Sequence, residues 1–597
     1  MSEIRSTTLV NHSTMRRKLQ FGGSADAAAL SMIGAGAALS SPFFASVPPM
    51  AGFACALGGA AWVGQRIAKQ LADKNLIQSK LNIESASILS RQTDGILVGY
   101  RTDTGEPVYL PRDAANPHGL IQGGSGKGKT TLAMLMIFQQ IQRGGGLIFV
   151  DAKMDSVDLL TIYQYAAWCG RAQDLWVINP GNPEESNTYN PILYGDPDEV
   201  ADRLLALIPA SEDNPGADHY RQAAKQGLTT LVGALQAVGL AYNFIDLSIL
   251  ITNQTALSEL ERTMRNHIPH HAATKTLSLF LEQYRGGFGN DNQGHSQTQI
   301  NIKRLKEIFG GIGSRLHGFG TGGFGEVANS YSPQVRMYDG IRQNKIIVLR
   351  LPTMGKPEAS FSFAKMALAD FRTSISWLQS LPQELKPNPV FLAFMDEFGS
   401  YGMQSMAQPL EQGRSACVGL WPMFQTYAQL DKVSKDFKQI INATTETKIY
   451  FATGDQTAAE EAASLVGETK VVTHGISNTS RSSASTPKVA VAPEGGYSDD
   501  AAQGISETLT KDFRVTADDM KKIPKGQCIM NYQGDEIFHL VVPKIVVSSS
   551  LAKEIGPVRI NYIKTKPVRG CDYFKNADRY LTAAKPRKPS ANSSPAQ

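Results

Sequence analysis

A glycine-rich run between residues 123 and 131 carries the clearest chemistry in this sequence. It reads GGSGKGKTT and matches the G-x-x-x-x-G-K-[ST] spacing of a loop that binds the phosphates of a nucleoside triphosphate. Glycine lets the backbone curl so that successive N–H groups face phosphate oxygens. Lys129 is predicted to reach the β and γ phosphates of ATP, and the Thr130 hydroxyl to ligate Mg²⁺. The predicted nucleotide contacts are Gly123, Gly124, Ser125, Gly126, Lys127, Gly128, Lys129, Thr130 and Thr131.

The segments on either side of this run support the match. Residues 118–122 (HGLIQ) suit a short strand, and residues 131–140 (TLAMLMIFQQ) are rich in helix formers. We therefore expect the loop to lie where a strand leads into a helix N-terminus, whose free N–H groups attract phosphate. The alternative is a Gly/Ser-rich surface turn that matches the spacing by chance.

A pair of carboxylates, Asp396 and Glu397, follows an unbroken apolar run at residues 390–395 (VFLAFM). Such a run is typical of a parallel strand that is covered on both faces. Asp396 is predicted to hold the Mg²⁺ shell and Glu397 to polarise the attacking water during hydrolysis. A strand that ends in a solvated acidic turn is the alternative.

These residues need a sheet to bring them together. Other strand-like runs occur at residues 95–101, 107–110, 147–150, 175–178, 345–351 and 448–452, and most alternate with helical stretches. This alternation predicts a doubly wound α/β sheet with the nucleotide at the carboxyl ends of its strands. Residues 196–331 are instead mostly helical in pattern, so we expect an all-α domain inserted into the sheet.

Basic residues cluster near the end of this helical segment, at Lys303, Arg304, Lys306 and Arg315, with Phe309 between them. Such residues could neutralise DNA phosphates in a sequence-independent way. A solvated helix face is the simpler interpretation. The full chain of 597 residues has a net charge of only +5, which permits nucleic-acid contact without arguing for it.

The N-terminal region predicts a membrane anchor. Residues 27–65 contain no Asp, Glu, Lys or Arg, and Pro48-Pro49 lies near their middle. This length suits two short spans of about 20 residues each. Positive charge on both sides, at residues 16–18 and at Arg66, predicts that both ends face the cytoplasm. The alternatives are one span with a re-entrant half and a buried Ala-rich hairpin.

In this order the motifs resemble those of the type IV secretion coupling proteins, the TraG/TraD-like conjugative ATPases. The resemblance covers residues 27–545 and includes the hairpin, the phosphate loop, Asp151-Ala-Lys153, Tyr189-Asn-Pro191, the helical insertion, Asp396-Glu397-Phe398, Gly413-Arg-Ser415 and Gln425. It implies a RecA-like, homo-hexameric ATPase in the bacterial inner membrane, with most of the chain in the cytoplasm. Its partners would be single-stranded DNA with its relaxase and components of the secretion channel.

The resemblance also suggests roles for two further residues. Arg414 would complete the catalytic site of a neighbouring subunit by stabilising charge on the γ phosphate. Gln425 would sense the γ phosphate from the next strand. A surface arginine and a polar strand terminus are the alternatives. Lys127 stands where the family usually has Ser, and Met154 replaces a common Gly, which leaves the subfamily open.

The predicted domain organisation follows from these segments. Residues 1–26 form a cytoplasmic N-terminus, 27–65 the transmembrane hairpin, 66–195 and 332–565 the two parts of the nucleotide-binding domain, 196–331 the inserted all-α domain, and 566–597 a flexible C-terminal tail, with 473–512 as a flexible insertion. Two other functions stay open: a DNA translocase of the chromosome-segregation type, and a non-motor membrane scaffold with a degenerate phosphate loop.

Overall fold

The structure, a computed structural model, describes residues 79–111, 118–207, 215–285, 300–309, 312–478 and 503–582. The predicted transmembrane hairpin at residues 27–65 lies outside these ranges. Within them, no helix is both long enough and apolar enough to cross a membrane.

The strands build one large mixed sheet and two small ones. In chain order they are β1 Lys80–Asn82, β2 Ile96–Arg101, β3 Pro107–Leu110, β4 His118–Gln122, β5 Leu147–Asp151, β6 Leu175–Ile178, β7 Ile346–Arg350, β8 Phe391–Met395, β9 Val418–Phe424, β10 Thr445–Phe451, β11 Glu468–Asn478, β12 Gln503–Phe513, β13 Gln527–Tyr532, β14 Glu536–Val541 and β15 Lys544–Val546. The large sheet has 11 strands in the order β3-β2-β14-β13-β10-β4-β9-β8-β5-β7-β6.

Helices cover both faces of this sheet. They are α1 Ile83–Gln92, α2 Lys129–Gln142, α3 Ser156–Trp168, α4 Pro197–Leu205, α5 Pro215–Ala237, α6 Phe244–Thr252, α7 Gln254–His267, α8 Ala272–Glu282, α9 Ile302–Phe309, α10 Ile312–Phe319, α11 Gly322–Ala328, α12 Met337–Arg342, α13 Pro357–Gln379, α14 Ala407–Gln412, α15 Ala428–Asp431, α16 Lys435–Thr444, α17 Gln456–Val466, α18 Ala517–Lys522, α19 Ser549–Ile555 and α20 Ala577–Thr582.

The strands from β10 to β6 are parallel to one another, which accounts for their apolar sequences. All residues of β5, β7, β8 and β9 are buried, because helices pack on both sides of them. Two separate apolar cores result, one on each face. The carboxyl ends of β4, β5, β8 and β9 therefore meet at one edge of the sheet.

The sheet is mixed: it combines the doubly wound parallel strands that the sequence predicts with antiparallel strands at one end. The N-terminal hairpin β2–β3 joins the parallel strands only through β13 and β14, which are antiparallel to their neighbours. These two C-terminal strands were absent from the prediction because their short, partly polar sequences give little periodic signal.

Between β6 and β7, the described residues from 197 to 328 form helices α4 to α11, as the sequence pattern predicts. Their apolar residues join those of α13 in a single core on one face of the sheet. Phe309 is 1% exposed and belongs to this core, so it is not available to stack on a nucleic-acid base. The division of the chain into domains stays a prediction.

Two segments predicted to be flexible are structured where the structure describes them. Within residues 473–512, the ends belong to β11 and β12, which pair antiparallel from Glu468↔Phe513 to Asn478↔Gln503. Within residues 566–597, the part up to residue 582 packs on the helical region. Ala241 and Arg569 share a backbone hydrogen bond, the Tyr573 N–H donates to Asp246, and the Tyr580 hydroxyl bonds Glu259. The composition of both segments is polar, but backbone pairing and buried tyrosines order them.

Candidate nucleotide-binding site

The glycine-rich loop connects β4 to α2, where the sequence places it. Three of its glycines have positive φ angles, 155° at Gly123, 70° at Gly126 and 131° at Gly128. A Cβ atom added to Gly123 would lie 2.5 Å from the Cβ of Phe451 in β10, so only glycine fits there. A Cβ at Gly126 would meet no atom within 4 Å, so the crown of the loop is open.

Lys129 is the first residue of α2 and is only 4% exposed. Its ammonium group donates to the backbone carbonyls of Gly123 at 2.6 Å and Gly124 at 3.2 Å, so it lies across the inside of the loop. Burial lowers the pKa of Lys129, and the nearby negative charges of Asp396 and Glu397 oppose that shift. The geometry keeps a cation at the position that the sequence predicts for phosphate binding.

Asp396 and Glu397 follow β8 at the same edge of the sheet. Asp396 is 2% exposed, and its backbone N–H continues the ladder by donating to Val150 of β5. Glu397 adopts a left-handed backbone conformation with φ 54°, which is unusual for a residue other than glycine. The Tyr401 hydroxyl donates to the Asp396 carbonyl at 2.7 Å and holds this turn. Strained backbone of this kind is often found at functional sites.

Lys153 bridges the two carboxylates, a contact that the sequence analysis did not predict. Its Nζ lies 3.0 Å from Asp396 Oδ2 and 2.9 Å from Glu397 Oε1. Burial alone would lower the pKa of Lys153, but attraction to these two carboxylates raises it overall. The signal in the sequence was the motif Asp151-Ala-Lys153 after β5, which is the neighbour of β8 in the sheet.

Gln425 follows β9 and contacts Glu397. Its Nε2 donates to Glu397 Oε1 at 2.9 Å and to Oε2 at 3.1 Å. Burial would raise the pKa of Glu397, but the hydrogen bonds from Lys153 and Gln425 outweigh it, so the pKa is lowered. Gln425 therefore positions the carboxylate. Its predicted role as a γ-phosphate sensor stays a prediction.

A second buried ion pair lies beside this group. Arg350 ends β7 and Asp151 ends β5, with Arg350 Nε 3.4 Å from Asp151 Oδ2. Both side chains are buried, and the Lys153 N–H donates to Asp151 Oδ1 at 2.9 Å. Asp151 thereby holds the backbone of Lys153 while Lys153 contacts the two carboxylates of β8.

The residues present fit ATP and Mg²⁺. The loop offers backbone N–H groups and Lys129 for phosphate, and Thr130 and Asp396 supply the hard oxygen ligands that Mg²⁺ prefers. Among the residues that the structure describes, no group of three or more His, Cys, Asp and Glu side chains could hold a metal ion. A Mg²⁺ ion here would therefore depend on the oxygens of the nucleotide, as is usual for this ion.

Arg414 is the one predicted site residue that lies away from this edge. It precedes β9, whereas the phosphate loop and Gln425 follow the carboxyl ends of β4 and β9. The seven residues of β9 span about 20 Å. The Arg414 side chain is 64% exposed and lies 3.5 Å from Glu446. Arg414 therefore does not contact the nucleotide site of its own chain, and its role towards a neighbouring subunit stays a prediction.

The sequence is similar to known coupling proteins over part of its length. A sequence model described as the TraM recognition site of TraD and TraG matches residues 390–525. The type 4 coupling protein DotL of Legionella pneumophila subsp. pneumophila (strain Philadelphia 1) is 24% identical over 406 residues. Both matches support a relationship to the type IV coupling proteins. The DotL alignment covers 59% of this chain and 49% of DotL, so the chain matches about half the length of that relative.

Solved structures of a conjugative coupling protein share the fold. The bacterial conjugative coupling protein TrwB, without its first 70 residues and in an unbound monoclinic form, has a TM-score of 0.53 at 16% identity, covering 81% of this chain and 96% of the TrwB chain. TrwB in complex with ADP and Mg²⁺ has a TM-score of 0.52 at 16% identity, with coverages of 79% and 94%. At this identity the likeness shows the fold alone, a TrwB-like α/β fold.

Proposed function

We propose that this protein is a type IV coupling protein, a membrane-anchored, hexameric ATPase that brings a relaxase-bound DNA strand to a type IV secretion channel during conjugative transfer. The observation that carries the proposal is that Lys129, Asp396 and Glu397 lie together at one edge of the sheet, in a chain similar to coupling proteins. A scaffold with a degenerate loop would have no reason to keep these three charges together. The matches to the TraD and TraG sequence model and to DotL favour a coupling protein over a chromosome-segregation translocase.

Each residue of the site has a distinct role in the proposed hydrolysis. Lys129 binds the β and γ phosphates, and Thr130 with Asp396 holds the metal. Glu397 orients the attacking water and accepts its proton, for which the lowered pKa keeps the carboxylate ionised. Gln425 fixes the Glu397 side chain. Bound Mg²⁺ would neutralise charge that develops on the phosphoryl group. The TrwB complex with ADP and Mg²⁺ supports this choice of cofactors.

The test of hydrolysis uses two variants of the full-length protein. Lys129→Ala and Glu397→Gln should each lower ATP turnover by at least about 100-fold, because each removes one charged part of a preassembled site. Glu397→Gln should still bind nucleotide, since the loop is unchanged. The readout is phosphate release alongside binding of a fluorescent ATP analogue. Wild-type turnover in either variant would refute the site.

The membrane and partner assignments rest on the sequence and the relatives. The uncharged residues 27–65 support an anchor with two spans, and the match to the TraM recognition site supports a partner-binding role within residues 390–525. Removing residues 1–68 should release the protein from membranes and weaken its oligomers. Full-length protein recovered quantitatively in the soluble fraction after a carbonate wash would contradict the anchor.

A further inference from the structure

A cleft is lined by helices of the helical region, by helix α13 and by the segment that follows the catalytic carboxylates. Its volume is about 740 Å³. Its lining comes from helix α13, from α4, α5 and α10, and from residues 400–405, which we call the floor. Because Glu397 is only three residues before Ser400, the floor is continuous with the proposed catalytic turn.

The charges that line this cleft are predominantly positive. The basic residues are Arg221 of α5, Arg315 of α10, and Lys365 and Arg372 of α13. The two acidic residues are Asp202 and Glu358, and Asp202 already pairs with Lys225 at 2.7 Å. Within the described part of the chain, none of the four basic side chains forms an ion pair. The cleft therefore concentrates uncompensated positive charge, which attracts a polyanion.

Two details of the walls add to this charge. Arg221 has a buried Nη1 with no hydrogen-bond partner among the described residues. Such an unsatisfied buried donor is costly unless a ligand completes it. On α13, Phe361, Lys365 and Arg372 follow a spacing that places them on one face of the helix, and Lys365 lies about 10 Å from Arg372 along the axis. A phenylalanine thus stands beside a row of cations.

We propose that this cleft binds the sugar-phosphate backbone of single-stranded DNA, with Arg221, Arg315, Lys365 and Arg372 contacting phosphates. The proposal rests on the proposed function and adds to it the place where the strand meets the motor. A cationic groove beside an aromatic side chain is the usual design of sites for single-stranded nucleic acid that do not select sequence. An acidic peptide would need the charges but not the half-buried Phe361.

The cleft also changes the interpretation of the basic cluster in the sequence. Of its members, only Arg315 lines the cleft. Lys303, Arg304 and Lys306 are exposed on α9, outside the cleft lining. Arg315 instead meets cations that are distant in the sequence. A strand bound here would press on the floor at residues 400–405 and so reach Glu397, which would couple DNA binding to hydrolysis.

The test compares two double variants of the full-length protein that each remove two positive charges. Lys365→Gln/Arg372→Gln changes the cleft, and Lys303→Gln/Lys306→Gln is the matched control on α9. Binding of labelled oligothymidylate is measured by fluorescence anisotropy over a range of salt concentrations. We expect the cleft variant to lose roughly tenfold in affinity and its slope of log K against log salt to fall by about 1.4, since each lost phosphate contact removes about 0.7. The control should match the wild type.

Further arms make the result decisive. Lys365→Arg/Arg372→Lys keeps both charges and should retain binding, while thermal melting of all variants verifies folding. If the cleft variant binds oligothymidylate with the affinity and salt slope of the wild type, the cleft proposal is wrong while the coupling function stands. Loss of polyglutamate binding without loss of DNA binding would show that the cleft takes an acidic protein segment instead. If the wild type bound no DNA, both this proposal and the proposed DNA substrate would be wrong. ATP turnover, measured separately, would then test the hydrolysis site on its own.

Discussion

At the scale of single residues, Lys153 is the contact that most changes the view of the site. Its ammonium group neutralises two adjacent carboxylates that are both largely buried. Without it, two like charges would lie side by side in a low-dielectric environment, which is unfavourable. Mg²⁺ bound with a nucleotide would supply positive charge at the same place. Lys153 and the metal are therefore expected to compensate for one another.

This argument predicts the behaviour of Lys153→Met. In the absence of nucleotide the variant should be less stable by about 1 kcal/mol, a modest value because the lysine side chain is 41% exposed. ATP analogue with Mg²⁺ should then raise its thermal midpoint by more than it raises that of the wild type. Lys153→Arg, which keeps the charge, serves as the control. If ATP analogue with Mg²⁺ raised the thermal midpoints of the wild type and Lys153→Met equally, the metal would not replace the positive charge that Lys153 supplies.

His118 at the start of β4 predicts a pH dependence of stability. It is 3% exposed, and its Nδ1 accepts a hydrogen bond from the Leu420 N–H at 3.0 Å. Burial lowers the pKa of His118 to about 4, although the carbonyls of Pro409 and Leu410 oppose the shift. In the unfolded chain the imidazole has its ordinary pKa of about 6.5. The neutral histidine therefore contributes stability that is present above pH 6.5 and is lost as the pH falls towards 4.

His118→Asn should remove this dependence, because the Asn side chain offers an acceptor near the position of Nδ1 and does not protonate. Between pH 7.5 and pH 4, we expect the free energy of unfolding to fall less in the variant than in the wild type. The difference between the two losses should be up to about 3 kcal/mol. His317→Asn, at an exposed position of α10, is the matched control. Identical acid sensitivity in the His118 variant and the wild type would contradict the assignment.

At the scale of elements, the two C-terminal hairpins differ in what they support. The ribbon β11–β12 forms its own two-stranded sheet, whereas β13–β14 lies inside the large sheet between β10 and β2. The first hairpin can be shortened without opening a ladder of the large sheet. The second cannot, because its strands carry hydrogen bonds on both sides.

Replacing residues 471–510 by Asn-Gly tests this difference. The two residues would join Lys470 to Lys511, which are paired in the ribbon, through a tight turn that Asn-Gly favours. The thermal midpoint and ATP turnover should both stay close to those of the wild type. Ile529→Pro in β13, which removes a ladder hydrogen bond next to Tyr450 and His539, should prevent folding. A large loss of stability in the shortened protein would mean that the ribbon supports the core.

At the scale of the whole molecule, the position of Arg414 separates a ring from a monomeric ATPase. The side chain is exposed at the edge of the sheet opposite its own phosphate loop, so any catalytic role requires another subunit. If Arg414 acts across a boundary, Arg414→Ala should bind nucleotide but not hydrolyse it.

Mixing Arg414→Ala with Lys129→Ala subunits should then restore part of the activity. Some intact Lys129 sites would face an intact Arg414 from the neighbouring subunit. The measurement is ATP turnover across mixing ratios, with light scattering to show that mixed assemblies form. Mixed assemblies that stay inactive at every ratio would return Arg414 to a surface role, paired with Glu446.

The sequence by itself determined the phosphate loop, the acidic strand end and most of the parallel strands. Each of these is a local pattern: glycines at required positive φ angles, or apolar runs that only a doubly covered strand tolerates. The assignment to the coupling proteins also depended on the order of such motifs along the chain.

Only the tertiary structure decided which distant residues meet. Lys153 contacts Asp396 and Glu397 because β5 and β8 are neighbours in the sheet. The order of strands in a sheet cannot be predicted from the hydrophobic pattern of each strand alone. Likewise, Arg315 lines the same cleft as Lys365 and Arg372, although the sequence groups it with Lys303 and Lys306. Strands β13 and β14 were missed because short, partly polar strands are stabilised by their partners on both sides. Local propensity describes a segment, whereas pairing and packing between segments are set by the fold as a whole.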